Sequence, residues 1–154
     1  MGKIEYPNGD VYEGELQNDL PHGKGKIIKF LAEFDRKNEY IGDFKNGLRE
    51  GFGKSIVITG PSKGSYYEGE WKNGKYDGRG IYMSGNGETY SGYFQKGLYH
   101  GEGTLRCKNE DMYIGEWVRG KAGGKMSIKY HDGSAYEGMT SGGRYHGSGK
   151  RSYH

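Results

Sequence analysis

The sequence contains little cysteine, little proline and little apolar material, and each shortage excludes a class of protein. Its single cysteine, Cys107, cannot form an internal disulfide or a thiolate metal site, which favours a reducing, cytoplasmic compartment. No apolar run approaches the roughly 20 residues that span a bilayer. Three prolines, and glycines that do not recur at every third position, exclude a collagen-like chain. An apolar content of 32% is too low for a thick two-layer core.

Glycine and tyrosine are the abundant residues, with 31 and 15 copies among 154 residues. An aromatic content of 14% excludes a flexible glycine-rich linker, so the glycines must serve a structure. The net charge of +3 is close to neutral, and the C-terminal half is mildly basic. This composition predicts a thin, turn-rich structure built around tyrosine rings.

A repeated pattern dominates the chain. Six copies begin at tyrosines that are 28, 27, 23, 23 and 23 residues apart: Tyr12, Tyr40, Tyr67, Tyr90, Tyr113 and Tyr136. Each tyrosine is followed by a glycine two residues later and by another glycine eleven residues later. Six matches in register identify a repeat protein.

Each copy has the period of a β-strand pair. Tyr67, Gly69 and Trp71 alternate with charged residues, so they point to one face of a strand. A tight turn follows near Gly74, and a second strand returns through Gly80. The unit is therefore a hairpin of about 23 residues, and successive hairpins should add edge to edge. Rings lying over glycines would then make a core one side chain thick.

These residues resemble the membrane occupation and recognition nexus (MORN) repeat, whose pattern is Tyr-x-Gly-x-Trp/Phe, a further Gly and then His-Gly-x-Gly. The resemblance runs from residue 12 to residue 149, with departures at Leu16, Asp19, Met126 and Thr140. It implies an all-β, elongated, single-layer, twisted antiparallel sheet of tandem hairpins. It also implies scaffold or adaptor roles, namely partner binding, dimerisation, and association with membranes or phosphoinositides. In some members of the family the array is attached to an enzyme, such as a lipid kinase or a lysine methyltransferase.

The whole chain, residues 1–154, is expected to form one repeat array. Residues 1–11 match the second strand and turn of a preceding unit. One entry strand and two strands per unit make about 13 strands. The ends look truncated, which predicts either a segment of a longer array or protein, or a homodimer formed through the open sheet ends.

No arrangement of residues argues for catalysis, a cofactor or a metal. His22, His100 and His146 occupy equivalent positions, but adjacent units place such positions roughly 9–10 Å apart, too far to share a metal. Glu68 and Glu70 alternate with the inward residues of their strand, so we interpret them as solvated carboxylates rather than an acid–base pair. We therefore expect no enzyme. Nucleic-acid binding is not expected either, since the rings fall on the glycine face instead of an exposed basic face.

The leading hypothesis is a non-catalytic scaffold that binds a protein partner, for instance an amphipathic helix, in the cytoplasm, at the cytoskeleton or at the inner face of a membrane. One candidate surface is an aromatic groove on the ring-bearing face: Tyr67, Trp71, Tyr90, Phe94, Tyr113 and Trp117. The other consists of the extended turns that follow the first two units. There, Phe30, Leu31 and Phe34 could anchor a partner, or Phe30 and Leu31 could extend the strand and fold over the core.

Two alternatives belong to other classes. An anionic membrane or phosphoinositide would bind the basic half of the chain, through Arg106, Lys108, Arg119, Lys121, Lys125 and Lys129. The array could instead be a regulatory segment of a larger enzyme. The sequence leaves the choice among the three hypotheses open.

Overall fold

The computed structural model describes the backbone of residues 1–152 and the side chains of residues 1–33 and 35–144. In this part of the chain, thirteen strands form one antiparallel sheet in which each strand pairs with its neighbours in the sequence. The strands are β1 (Gly2–Glu5), β2 (Val11–Gln17), β3 (Leu20–Leu31), β4 (Arg36–Lys45), β5 (Leu48–Val57), β6 (Tyr66–Lys72), β7 (Lys75–Met83), β8 (Thr89–Gln95), β9 (Leu98–Arg106), β10 (Met112–Val118), β11 (Lys121–Lys129), β12 (Ala135–Ser141) and β13 (Arg144–Ser152). One turn of 3-10 helix, Ala32–Phe34, lies between β3 and β4. The predicted all-β sheet of tandem hairpins is confirmed.

The tyrosines that begin the units form the core of the sheet. Four of them are at most 1% exposed: Tyr12, Tyr40, Tyr67 and Tyr90. The Trp71 ring stands edge-on between the rings of Tyr40 and Tyr67, with centroid distances of 4.9 and 5.2 Å. Three further rings make the same edge-to-face contacts with starting tyrosines: Phe44, Phe94 and Trp117. Such contacts stabilise by about 0.5–1.5 kcal/mol each beyond the burial of their area.

The glycines of the second strands leave the space in which these rings lie. A Cβ atom added to Gly80 would lie 2.5 Å from both Cε2 and Cζ of the Tyr67 ring. The ring is held there because its hydroxyl donates a 2.6 Å hydrogen bond to the carbonyl oxygen of Glu70. The same close approach of ring to glycine recurs in three other units, at Gly25, Gly53 and Gly103. The predicted packing of rings over glycines is confirmed.

The fifth unit departs from this packing at the residue where its sequence departs from the repeat. Met126 replaces the glycine that would lie beneath the ring, and its side chain is only 1% exposed. Because Met126 fills that space, Tyr113 is only partly buried, unlike the tyrosines that begin the preceding units. A flexible thioether therefore completes the core here in place of a ring.

A bulge in the second strand explains the glycine that follows each starting tyrosine by eleven residues. In the third unit, Gly69 pairs with Gly80 and Trp71 pairs with Tyr76, so β7 has two more residues than β6 between these pairs. Gly78 lies in this bulge with φ +100°. Glycine adopts that conformation at little cost, whereas a residue with a side chain would be strained.

An acidic side chain of the first strand binds the backbone of the bulge. The Glu70 carboxylate accepts a 2.5 Å hydrogen bond from the backbone N–H of Arg79. The first two units make equivalent bonds, from the N–H of Lys24 to Glu15 and from the N–H of Phe52 to Asp43. Glu70 is thus partly exposed, as a carboxylate on the solvent-facing side of the strand, and the folded backbone also supplies it with a donor. Glu68 is exposed, as expected.

Candidate functional site

The ring-bearing face is filled, which leaves the predicted aromatic groove little accessible surface. Five of its six rings are at most 5% exposed: Tyr67, Trp71, Tyr90, Phe94 and Trp117. Two further tyrosines cover them, since Tyr76 stacks on Tyr67 and Tyr99 stacks on Tyr90, each with ring centroids 3.9 Å apart. A partner lying on this face would reach Tyr76 and Tyr99 first. Partner binding by the six rings themselves stays a prediction.

The opposite face of the sheet carries a shallow groove of about 940 Å³, which we call the open groove. Its side chains alternate along the strands with those of the ring-bearing face. Four of them are apolar: Phe52, Ile81, Tyr93 and Ile114. Phe52 is 60% exposed, and Ile81 and Tyr93 are each 42% exposed. These apolar groups therefore face solvent, in contrast to the rings of the core.

Charged side chains complete the open groove, with four carboxylates against two cations: Glu68, Glu102, Glu116, Glu137, Arg79 and Lys125. Glu102 on β9 lies directly opposite Glu116 on β10. Like charges that face each other across two strands destabilise a sheet. One of the two cations is already engaged, because the guanidinium carbon of Arg79 lies 5.1 Å from the centroid of the Tyr93 ring. The open groove is thus acidic, although the chain carries a net charge of +3.

The two extended turns lie beside each other, as predicted, but the first is not a loop. Phe30 and Leu31 are the last two residues of β3, and Phe30 is 37% exposed. The side chain of Phe34 lies outside the described residues. The second turn, residues 58–65, contacts the first through a 2.8 Å hydrogen bond from the N–H of Lys37 to Oγ1 of Thr59. Of the two interpretations of Phe30 and Leu31, the structure shows the extension of the strand; their role as anchors stays a prediction.

The six cations predicted to bind lipid do not form one patch. Three of them lie at turns that join units: Arg106, Lys108 and Lys129. Two lie at one hairpin turn, Arg119 and Lys121, and Lys125 lies in the open groove. Lys121 and Lys129 are the two ends of β11. At about 3.3 Å per residue they lie roughly 25 Å apart, on opposite long edges of the sheet. A membrane would have to meet both edges to contact all six.

The shifted pKa values belong to structural groups. Burial raises the pKa of Tyr90 and of Tyr99 to about 12, so both hydroxyls stay neutral. At a turn between units, a 3.0 Å hydrogen bond to Asp111 raises the pKa of His131 above its ordinary value. Within the described residues, no group of three or more His, Cys, Asp or Glu side chains could hold a metal. The same part of the chain has no helix long and apolar enough to cross a membrane.

Comparison with known proteins agrees with the repeat pattern. A family model described as "MORN repeat" matches residues 12–29, 40–56, 67–89, 90–112, 113–134 and 136–154. Alsin of Rattus norvegicus is 36% identical over 97 residues, which cover 62% of this chain and 6% of Alsin. ALS2 C-terminal-like protein of Bos taurus is 36% identical over 96 residues, which cover 62% of this chain and 10% of that protein. MORN repeat-containing protein 3 of Xenopus laevis is 40% identical over 79 residues, 49% of this chain and 31% of that protein. The matched stretch is thus a small part of the first two relatives and under a third of the last.

Proposed function

The chain belongs to the MORN repeat family, and we propose that it is a non-catalytic scaffold or adaptor module that binds a protein partner through the open groove. The observation that carries this proposal is the group of exposed apolar side chains there, exposed at 42–60% for Ile81, Tyr93 and Phe52. Several large apolar side chains that are exposed within one groove of a folded domain favour an interaction site. The packed rings of the other face hold the sheet that presents this surface.

The surroundings of the titratable groups favour a non-catalytic role. The carboxylates of the open groove lie on an exposed sheet surface, whereas acid–base catalysis depends on an enclosed site that shifts the pKa of its groups. The buried tyrosines are held neutral by their surroundings. We place the module in the cytoplasm, where its single thiol, Cys107, would stay reduced.

Photo-crosslinking from the open groove tests the proposal. A benzophenone amino acid replaces Tyr93 in one variant; in the control it replaces Leu98, which begins β9 at a hairpin turn and is similarly exposed at 48%. We expect protein adducts from a cell lysate at the Tyr93 position and few at the Leu98 position. Adding Phe52→Ser, elsewhere in the same groove, should reduce the adduct yield several-fold. Equal yields at the two positions, or no effect of Phe52→Ser, would contradict the proposal.

Lipid binding and regulation of a larger enzyme remain alternative proposals. Vesicles with and without a phosphoinositide, sedimented with the protein at low and physiological salt, test the first. Binding that requires the anionic lipid and is lost in Lys121→Glu and Lys125→Glu variants would favour the lipid alternative over the scaffold. A catalytic domain in the same reading frame would favour the second.

A further inference from the structure

We propose that the open groove selects a positively charged protein segment that also carries apolar side chains. This inference rests on the proposed function and adds the chemistry of the partner. It comes from the arrangement of charges and apolar groups across β7 to β11, the strands at the centre of the groove.

The central charges of the open groove are arranged unfavourably in the unbound protein. Glu102 and Glu116 face each other directly across β9 and β10. Among the side chains that the structure describes, neither forms an ion pair, and Lys125 on the next strand forms none with Glu116. The Glu116 carboxylate lies against the bulge glycine Gly124 of β11, on the side of β10 away from Glu102. A cation bound at the Glu102 carboxylate would offset the repulsion between the two like charges.

Elsewhere on the same face of the sheet, facing residues carry opposite charges, unlike Glu102 and Glu116. Near the N-terminus, Lys24 faces Asp43 across β3 and β4, and the two side chains form an ion pair. Further along, Lys54 faces Glu68 across β5 and β6. The register therefore places opposite charges together at these two positions, whereas within the groove it places Glu102 opposite Glu116, close to the exposed apolar groups.

The apolar side chains lie next to the paired carboxylates. Across β7 to β10, Ile81 faces Ser91, Ser91 faces Thr104, and Thr104 faces Ile114. The two isoleucines are three strand spacings apart, roughly 14 Å, with two small residues between them. The facing glutamates lie two residues from Thr104 and Ile114 along their strands, roughly 7 Å away. A segment whose apolar side chains fill the space between the isoleucines would bring a neighbouring Lys or Arg to the carboxylates.

The carboxylates also disfavour binding of an anionic partner in this groove. Nucleic acids and anionic lipids present phosphates, which four carboxylates against two cations would repel. A basic segment is instead attracted, with an association that should weaken as salt screens the charges.

Two matched peptides test the charge selection. Both carry the same leucines; lysines fill the remaining positions of one, and glutamates fill those positions of the other. Fluorescence anisotropy at low salt should show that the lysine peptide binds the wild-type chain about tenfold more tightly, with the difference shrinking at high salt. Equal binding of the two peptides would overturn the inference.

Glu102→Lys is the decisive variant, because Glu102 is exposed and its carboxylate does not bind a bulge. It should weaken binding of the lysine peptide about tenfold and strengthen binding of the glutamate peptide. It should also raise the melting temperature, since Lys at this position would face Glu116. The control Glu110→Lys makes the same charge change at an exposed turn and should alter binding less than about twofold.

The outcomes separate this inference from the proposed function. If crosslinking from the Tyr93 position captures a protein partner equally well in the wild type and in Glu102→Lys, the groove binds its partner but does not select charge. If crosslinking fails in both, the proposed function fails with it. Should Glu102→Lys melt below the wild type, Glu102→Gln replaces it; unchanged peptide binding in that variant would also refute charge selection.

Discussion

Alanine in place of Gly80 should destabilise the sheet through the tyrosine ring that lies on this glycine. The added Cβ would lie 2.5 Å from Cε2 and Cζ of Tyr67, well inside normal contact. Gly80 is not among the residues with positive φ, so its backbone accepts alanine and the effect isolates the ring. The ring cannot move freely, because Tyr76 stacks on it with centroids 3.9 Å apart.

The size of the effect follows from what the displaced ring would lose. Overpacking a core by one carbon typically costs about 1–3 kcal/mol. The Tyr67 hydroxyl would also lose its 2.6 Å hydrogen bond to the carbonyl oxygen of Glu70, which adds about 1 kcal/mol. We therefore expect the free energy of unfolding to fall by about 2–4 kcal/mol, which corresponds to roughly 4–16 °C in melting temperature.

Urea unfolding followed by tryptophan fluorescence and by circular dichroism measures this change. Trp71 reports locally, because its ring centroid lies 5.2 Å from that of Tyr67. The control Ser91→Ala, on an exposed position of the neighbouring strand, should change stability by less than about 0.5 kcal/mol. In a Tyr67→Ala background, Gly80→Ala should lose most of its cost. The reasoning is refuted if Gly80→Ala is as mild as the control, or if its cost is the same without the ring.

Two pH-dependent predictions concern other groups. Folding raises the pKa of Tyr90 and Tyr99 from 10.0 to about 12, so the stability that their neutral forms contribute is complete below pH 10 and is lost as the pH rises toward 12. The tyrosinate absorbance that Tyr90→Phe and Tyr99→Phe variants lack should therefore appear in that interval, together with the change in circular dichroism; ionisation of these two tyrosines near pH 10 with the fold retained would contradict this. The hydrogen bond to Asp111 raises the pKa of His131 above 6.5, so its contribution is present below pH 6.5 and is lost as the pH rises through the raised value. An NMR titration should find that raised pKa in the wild type and a value nearer 6.5 in Asp111→Asn; the same pKa in both proteins would refute the assignment.

The hairpin architecture could be predicted from the sequence because its causes are local and repeated. The alternation of Tyr67, Gly69 and Trp71 sets the face of a strand, and the repeat carries the same choice into every unit. The contact between ring and glycine needs only the pairing of neighbouring strands. Met126 illustrates the same dependence: the unit in which methionine replaces this glycine is also the unit whose tyrosine, Tyr113, is less buried.

The bulge and the open groove could not be predicted in the same way, because both depend on register between strands. The two extra residues around Gly78 become visible only when Gly69 is seen to pair with Gly80 and Trp71 with Tyr76. The apolar members of the groove belong to different units and meet only through the sheet. The sequence does carry one sign of the groove: large apolar residues such as Phe52 occupy positions that alternate with the core, where the pattern predicts solvated residues.

The six copies within the chain provide their own comparison of the two faces. Every unit has a tyrosine at its start and a glycine two residues later, because the core leaves no freedom there. The residue between them, on the other face, varies from unit to unit: Glu13, Ile41, Glu68, Ser91, Ile114 and Glu137. Exposed positions accept such changes at little cost in stability. The ring-bearing face thus maintains the fold, while the open groove can acquire the chemistry of a particular partner without disturbing it.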